Sequence, residues 1–118
     1  MTYQSPQPRL AGEIRDDLLS IDEETVQRGL IDGAHFLPGD WIQPRAVSAL
    51  QDDRIAVRRT AIVALSVLAR RRLLRLDAVL WTTLSRLKHQ TPTSGFVEDL
   101  LDDIEIYCPD ELPPPPPA

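Results

Sequence analysis

The sequence predicts an all-α protein: about six antiparallel helices arranged as three stacked helical hairpins. Three observations lead there. Apolar residues recur with a period near 3.6 in six successive segments, and no period-2 stretch of any length competes with them. Composition points the same way, with only 5% aromatic residues and an abundance of Leu, Ala and Arg. The links between segments are short, roughly 2–6 residues, so successive helices run antiparallel. A closed bundle and a stack of hairpins both satisfy these constraints. An internal echo favours the stack, because residues 41–69 and 76–107 each read as helix, Leu, turn, helix. A two-helix unit of about 35 residues is the signature of a helical repeat array.

The elements follow in order. Residues 1–8, with Pro6 and Pro8, read as a flexible N-terminal arm. Leu10, Ile14 and Leu18 then recur at i, i+4 and i+8, predicting a first helix over 9–19. Ser20 and Asp22 compete to start the second. Ser20 fits a capping box with Glu23. Asp22 is favoured, since Glu23 and Glu24 then fall in the first turn, where the helix dipole stabilises them. This helix carries Val26, Leu30 and Ala34 inward and ends at Leu37-Pro38-Gly39. Gly29 and Gly33 lie inside it, each costing about 1 kcal/mol against Ala; their small size suggests a neighbouring helix approaching closely. Asp40 is the candidate N-cap of the third helix, with Pro44 in its first turn. After Asp52-Asp53 the fourth helix runs to about Arg72 on Val57, Ala61, Ala64, Leu65 and Leu68. Ile62, Val63 and Val67 widen its apolar face, which places it at the centre of the fold. Leu80, Leu84 and Leu87 define the fifth helix, flanked by Val79 and Trp81. Ser94 is the candidate cap of the sixth, with Val97, Leu100, Leu101 and Ile104 inward. Cys108-Pro109 stops it. Residues 109–118, with Pro113 to Pro117, read as a disordered or polyproline tail. The organisation is thus an arm over 1–8, one domain over 9–108, and a tail over 109–118.

The 118-residue chain is long enough to bury a real core without staples. It contains no apolar run of membrane-spanning length and no secretory signal in its polar first residues. Cys108 is the only cysteine, so an intrachain disulfide is excluded and a reducing cytoplasm is the expected compartment. The net charge of −5 hides three blocks. Residues 1–44 hold 3 basic and 8 acidic groups, residues 45–88 hold 10 and 3, and residues 89–118 hold 7 acids with no Lys or Arg. The basic middle is expected to face carboxylates on its two neighbours.

The segment from Leu50 to Ala69, LQDDRIAVRRTAIVALSVLA, resembles a HEAT repeat: an acidic turn, then Val57-Arg58, Ala61, Leu65 and Leu68. The resemblance implies a HEAT-like α-solenoid in which Asp53 caps the second helix of a hairpin, Val57 and Ala61 pack on the first, and the small Ala61 admits the next repeat. Residues 30–107 are also similar to a group of short bacterial HEAT-like proteins. Those carry an H-x-P-D-W-like segment, a V-R-R-x-A helix and a V-E-D-A-L-D-D-I helix. The matches here are His35, Pro38, Asp40 and Trp41, then Val57-Arg58-Arg59-Thr60-Ala61, then Val97 to Ile104. The chain departs from the pattern at Gly39, an insertion, and at Leu100, which stands for Ala. Such proteins are interaction modules, and some are similar to immunity proteins encoded beside bacterial toxins. The resemblance further implies that the second helices of the hairpins (22–34, 54–72 and 94–107) line the binding side.

The residues themselves suggest no catalytic site, cofactor or metal. His35 with Asp40 and Trp41 could form a polar site, but no third group is visible to hold a base, and the simpler account has Asp40 capping a helix and Trp41 packing across the hairpin mouth. His89 sits near a helix C-terminus, where a cation suits the dipole. Cys108 has no basic neighbour to activate it. The pairs Asp99/Asp103 and Glu98/Asp102 stand at i, i+4 and would need further ligands to hold a divalent ion. The arginines at 70–72 and 75 invite a nucleic-acid reading, which the acidic flanks and a pI near 4.9 oppose. Protein binding remains. The expected interface residues are Glu98, Asp99, Asp102, Asp103 and Glu105, whose field would steer a basic partner, with Trp41 and Arg58 as anchors. The expected function is a non-catalytic, cytoplasmic immunity protein that occludes a basic toxin domain encoded nearby. The alternative is a HEAT-like scaffold or adaptor that binds another protein or itself as a homo-oligomer. Neither nucleic acid nor membrane is an expected partner.

Overall fold

The computed structural model describes residues 6–114. Six α-helices follow one another: α1 (Ala11–Leu18), α2 (Glu23–Phe36), α3 (Gly39–Ala49), α4 (Ile55–Arg70), α5 (Ala78–Leu87) and α6 (Ser94–Tyr107), then a 3-10 turn at Pro109–Glu111. No strand occurs among the described residues, and no helix is long and apolar enough to cross a membrane. The helices form three hairpins, α1–α2, α3–α4 and α5–α6. Their second helices make the inner row, α4 packing between α2 and α6. The stack is elongated, 49 × 28 × 24 Å.

The middle position of α4 explains its composition. A helix with neighbours on both sides must be apolar over most of its circumference. Val57, Ala61, Ile62, Ala64, Leu65 and Leu68 are all fully buried. Outer helices bury narrower stripes: Leu80, Leu84 and Leu87 on α5, and Ile14 alone on α1. The expected close approach at the α2 glycines is present. A Cβ on Gly33 would collide with Cδ1 of Ile42 and lie 3.0 Å from its Cγ1, while one on Gly29 would lie 3.0 Å from Cβ of Asp17. These two glycines let α1 and α3 settle onto α2.

Helix ends obey local chemistry: one expected cap holds and three are displaced by one or two residues. Asp22 caps α2, its Oδ2 accepting from Thr25 N at 3.0 Å, and the Ser20 hydroxyl accepts from Asp22 N. At α3 the N-cap is Pro38, so Asp40 is the second helical residue and Pro44 lies in the second turn instead of the first. Pro38 at φ −57° already points its carbonyl down the axis, where Trp41 N and Ile42 N donate to it. Asp53 does not cap α4. The N-cap is Arg54, and Asp52 takes the bonding role, accepting from both the backbone N and the guanidinium of Arg54. Those hydrogen bonds hold the Asp52 carboxyl below its ordinary range. Thr93, not Ser94, is the N-cap of α6; its buried hydroxyl donates to Leu87 O and so closes the turn.

The α4 C-terminus ends two residues before the expected Arg72. Arg72 N donates to Ala69 O and Leu73 N to Leu68 O, the Schellman pattern, with Arg72 at φ 61°. The following link, 71–77, is gripped from two sides. The buried Gln43 side chain donates to Arg75 O and accepts from Arg75 N, and Glu111 Oε1 accepts from Leu76 N at 2.8 Å. The 3-10 turn and Leu112, which packs against the core, therefore belong with the stack. At the other end, Gln7 N donates to Asp32 Oδ1, and Arg9 bridges Asp17 and Asp32. Residues 1–5 of the expected arm and Pro115 to Pro117 of the expected tail lie outside the described residues.

Candidate protein-interaction surface

At 100° per residue the acidic residues of α6 divide between two edges. Asp99 and Asp103 share the edge that carries Phe96 and Tyr107 and faces α4. That edge is tied down: Arg70 pairs with Asp103 at 3.1 Å, and the guanidiniums of Arg59 and Arg72 lie 5.3 Å and 5.9 Å from the ring centres of Phe96 and Tyr107. Glu98 and Glu105 lie on the opposite edge, beside Leu101. Asp102 points outward between the edges. Asp103 is largely covered, and Glu98, Asp99, Asp102 and Glu105 are exposed. Ile106, at i+4 from Asp102 and i+7 from Asp99, is 64% exposed in the middle of this acidic strip. Sequence reasoning missed it, although the spacing that turned the acids outward also turns Ile106 outward.

Trp41 and Arg58 are not held out into solvent. Trp41 is partly buried against the core, and the guanidinium of Arg45 covers one face of its ring at 3.7 Å. Arg58 is half-buried and donates to the carbonyls of Asp52 and Asp53. Arg58 thus braces the α3–α4 turn, while Trp41 lies at the opposite end of the second hairpin, in the first turn of α3.

Arg58 exemplifies the middle block. Its arginines bind chiefly backbone carbonyls rather than the expected carboxylates. Arg54 reaches Ile21 O in the α1–α2 turn, Arg59 reaches Pro92 O in the α5–α6 turn, and Arg71 caps the end of α2 at Ala34 O and Leu37 O. Arg70–Asp103 is the ion pair that joins the middle hairpin to the last among the described residues. These are inter-hairpin staples.

The remaining candidates are dispersed. His35 is exposed on the last turn of α2, its ring 6.0 Å from that of Phe36. Its pKa is lowered, first by partial burial and then by the nearby Arg71 charge. Asp40 and Trp41 are on a different helix. Cys108 is buried with its thiol toward Ala69 O, and burial raises its pKa. No group of three His, Cys, Asp or Glu side chains is placed to hold a metal ion among the described residues. A groove of about 660 Å³ separates the start of α3 from the α4–α5 link, with Pro44, Val47, Leu73 and Val79 as apolar walls and Asp40, Asp77, Arg72 and Arg75 as charges of both signs.

Fold and surface together define a class: a short stack of helical hairpins that presents broad, charged faces, with the arginines of its middle hairpin bonded chiefly to its own backbone. The chain is similar, at 28% identity, to a chain in the crystal structure of a CDI complex from Cupriavidus taiwanensis LMG 19424. The likeness covers 92% of this chain and 98% of that one, with a TM-score of 0.78. No family model matches the chain. No curated protein matches it either.

Proposed function

We propose that this chain is an immunity protein that binds a cognate toxin domain in the cytoplasm and occludes its working surface. The observation that carries the reading is the full-length likeness to a chain of a CDI complex, a toxin–immunity assembly. The likeness spans all three hairpins, so it concerns the whole stack and not one shared motif. The V-R-R-x-A pattern on α4, with Val57 and Ala61 fully buried at its packing face, supports describing the stack as HEAT-like. The exposed strip of α6, Glu98, Asp99, Asp102 and Glu105 around Ile106, is the proposed contact region. An apolar side chain ringed by charge supplies affinity at its centre and steering at its rim. The partner is accordingly a basic domain.

Co-expression tests the function directly. The toxin domain encoded beside this gene is induced in a host with and without the chain, and growth is followed. Protection supports the reading; equal growth arrest in both refutes it. Charge reversal at Asp99 and Asp102, which spares the Arg70–Asp103 pair, is expected to slow association and steepen the loss of protection as toxin dose rises. Unchanged association would remove the acidic strip from the interface.

A further inference from the structure

We infer that Trp81, on the outer side of the third hairpin, is a docking ring for an arginine of the partner; the inference rests on the immunity reading and names a second contact for it. The first ground is how this molecule treats its other rings. Trp41, Phe96 and Tyr107 each lie under a guanidinium, at 3.7, 5.3 and 5.9 Å from the ring centre, and Phe36 lies beside the His35 ring. Among the described residues nothing stacks on Trp81, which is 37% exposed.

The second ground is where that ring sits. On α5 the inward stripe is Leu80, Leu84 and Leu87, and Val79 turns to one side, into the groove shared with α3. At 100° per residue Trp81 falls on the opposite side, away from α3. On α6 the edge opposite Phe96, Asp103 and Tyr107 carries Glu98, Leu101 and Glu105. Both edges lie on the outer side of the third hairpin, away from the second. The helices are antiparallel, and Glu111 bonds to Leu76 N, so the first turn of α5 lies beside the last turns of α6. Trp81 is therefore level with the Glu105 end of that acidic edge.

The third ground is charge. Residues 89–118 contain no Lys or Arg, so α6 has no cation to offer the ring. Along α5 the next basic residue on that side is Lys88, seven positions on, about 10 Å up the axis. An indole face next to carboxylates, without a cation of its own, matches a guanidinium from outside: the ring's quadrupole attracts it and a carboxylate pairs with it. A large, half-exposed Trp at such a place is also the residue type that dominates binding energy at interfaces.

Because the chain has only two tryptophans, fluorescence isolates the site. The probe is a capped hexa-arginine peptide, with capped hexa-lysine as its comparator, titrated at low salt into full-length W41F and W81F proteins. In W41F, where Trp81 alone reports, emission is expected to change saturably, with half-saturation by arginine at least about threefold below that by lysine. In W81F the Trp41 signal, already covered by Arg45, is expected to stay flat. Should W41F fail to fold, the difference between the parent protein and W81F gives the Trp81 signal. Equal responses from the two rings, no response from Trp81, or no preference for arginine overturns the inference. The peptide assay needs no toxin, so its failure is distinct from failure of the growth test. Full protection by W81A in that growth test would likewise overturn the docking role.

Discussion

Replacing Arg9 by Met tests the most buried electrostatic contact in the stack. Asp32 sits on α2 with its side chain 4% exposed, and its partners are the Arg9 guanidinium at 3.0 Å and Gln7 N at 3.0 Å. R9M removes the counter-charge and leaves the carboxylate in place. Breaking a buried pair by deleting one partner costs about 3–5 kcal/mol. Two features place this case at or below the lower edge. The Arg9 side chain is 22% exposed, so water reaches the vacated site, and the Gln7 amide stays on Oδ1. The expected loss is about 2–3 kcal/mol, or about 10 °C in Tm for a domain of this size. Urea unfolding followed by far-UV circular dichroism measures it. The double variant R9M/D32N is the decisive partner, because an amide at position 32 needs no counter-charge and should recover more than half of the loss. If R9M costs less than about 1 kcal/mol, or if D32N fails to rescue it, the carboxylate is not the group that Arg9 satisfies.

Three further outcomes are expected. At Arg72, whose φ is 61°, R72G should be more stable than R72A by about 1 kcal/mol in chemical unfolding, since both lose the guanidinium over Tyr107 and only glycine escapes the left-handed penalty. G33A should lose up to about 2 kcal/mol, because overpacking against Ile42 outweighs the gain in helix propensity; I42V in that background removes the obstructing Cδ1 and should restore part of the loss. His35 has a folded-state pKa below its ordinary 6.5, so the native state binds fewer protons than the unfolded chain around that pH. Stability should be constant above about pH 7 and fall as pH drops through 6.5 toward the lower folded value, and H35Q should flatten that slope in pH-dependent melting curves.

The number, order and inward faces of the helices were legible because each depends on one local period. Val26, Leu30, Leu65, Leu84 and Ile104 all point inward as their spacing requires. Caps were less legible, because the same side chain can serve more than one acceptor. Thr93 takes the cap position of α6, yet its hydroxyl bonds Leu87 O, a use that depends on how the turn closes. Asp32 was illegible for a different reason. A lone Asp at i+3 from Gly29 reads as a solvated residue, and only the path of Gln7 and Arg9 across α2 makes it buried. The same limit applied on α6. Spacing turned five acids outward, but the pairing of Asp103 with Arg70 follows from how far α4 reaches alongside, which is a tertiary fact.

The arginines of the middle hairpin bear on why the acidic end stays available. A guanidinium placed on a carbonyl oxygen makes a directed hydrogen bond without neutralising a carboxylate elsewhere. Had Arg54, Arg59 and Arg71 paired with acids on the flanking hairpins, those acids would have been consumed in holding the stack together. Bound to Ile21 O, Pro92 O, and the carbonyls of Ala34 and Leu37, they join the hairpins through groups that exist whatever the side chains are. The carboxylates of α6, apart from Asp103, are thereby left without partners among the described residues. A sequence under selection to change its partner could then alter Glu98, Asp102 or Glu105 without disturbing an inter-hairpin contact. That separation between the staples of the stack and the charges on its surface is what the proposed match to one particular basic partner requires.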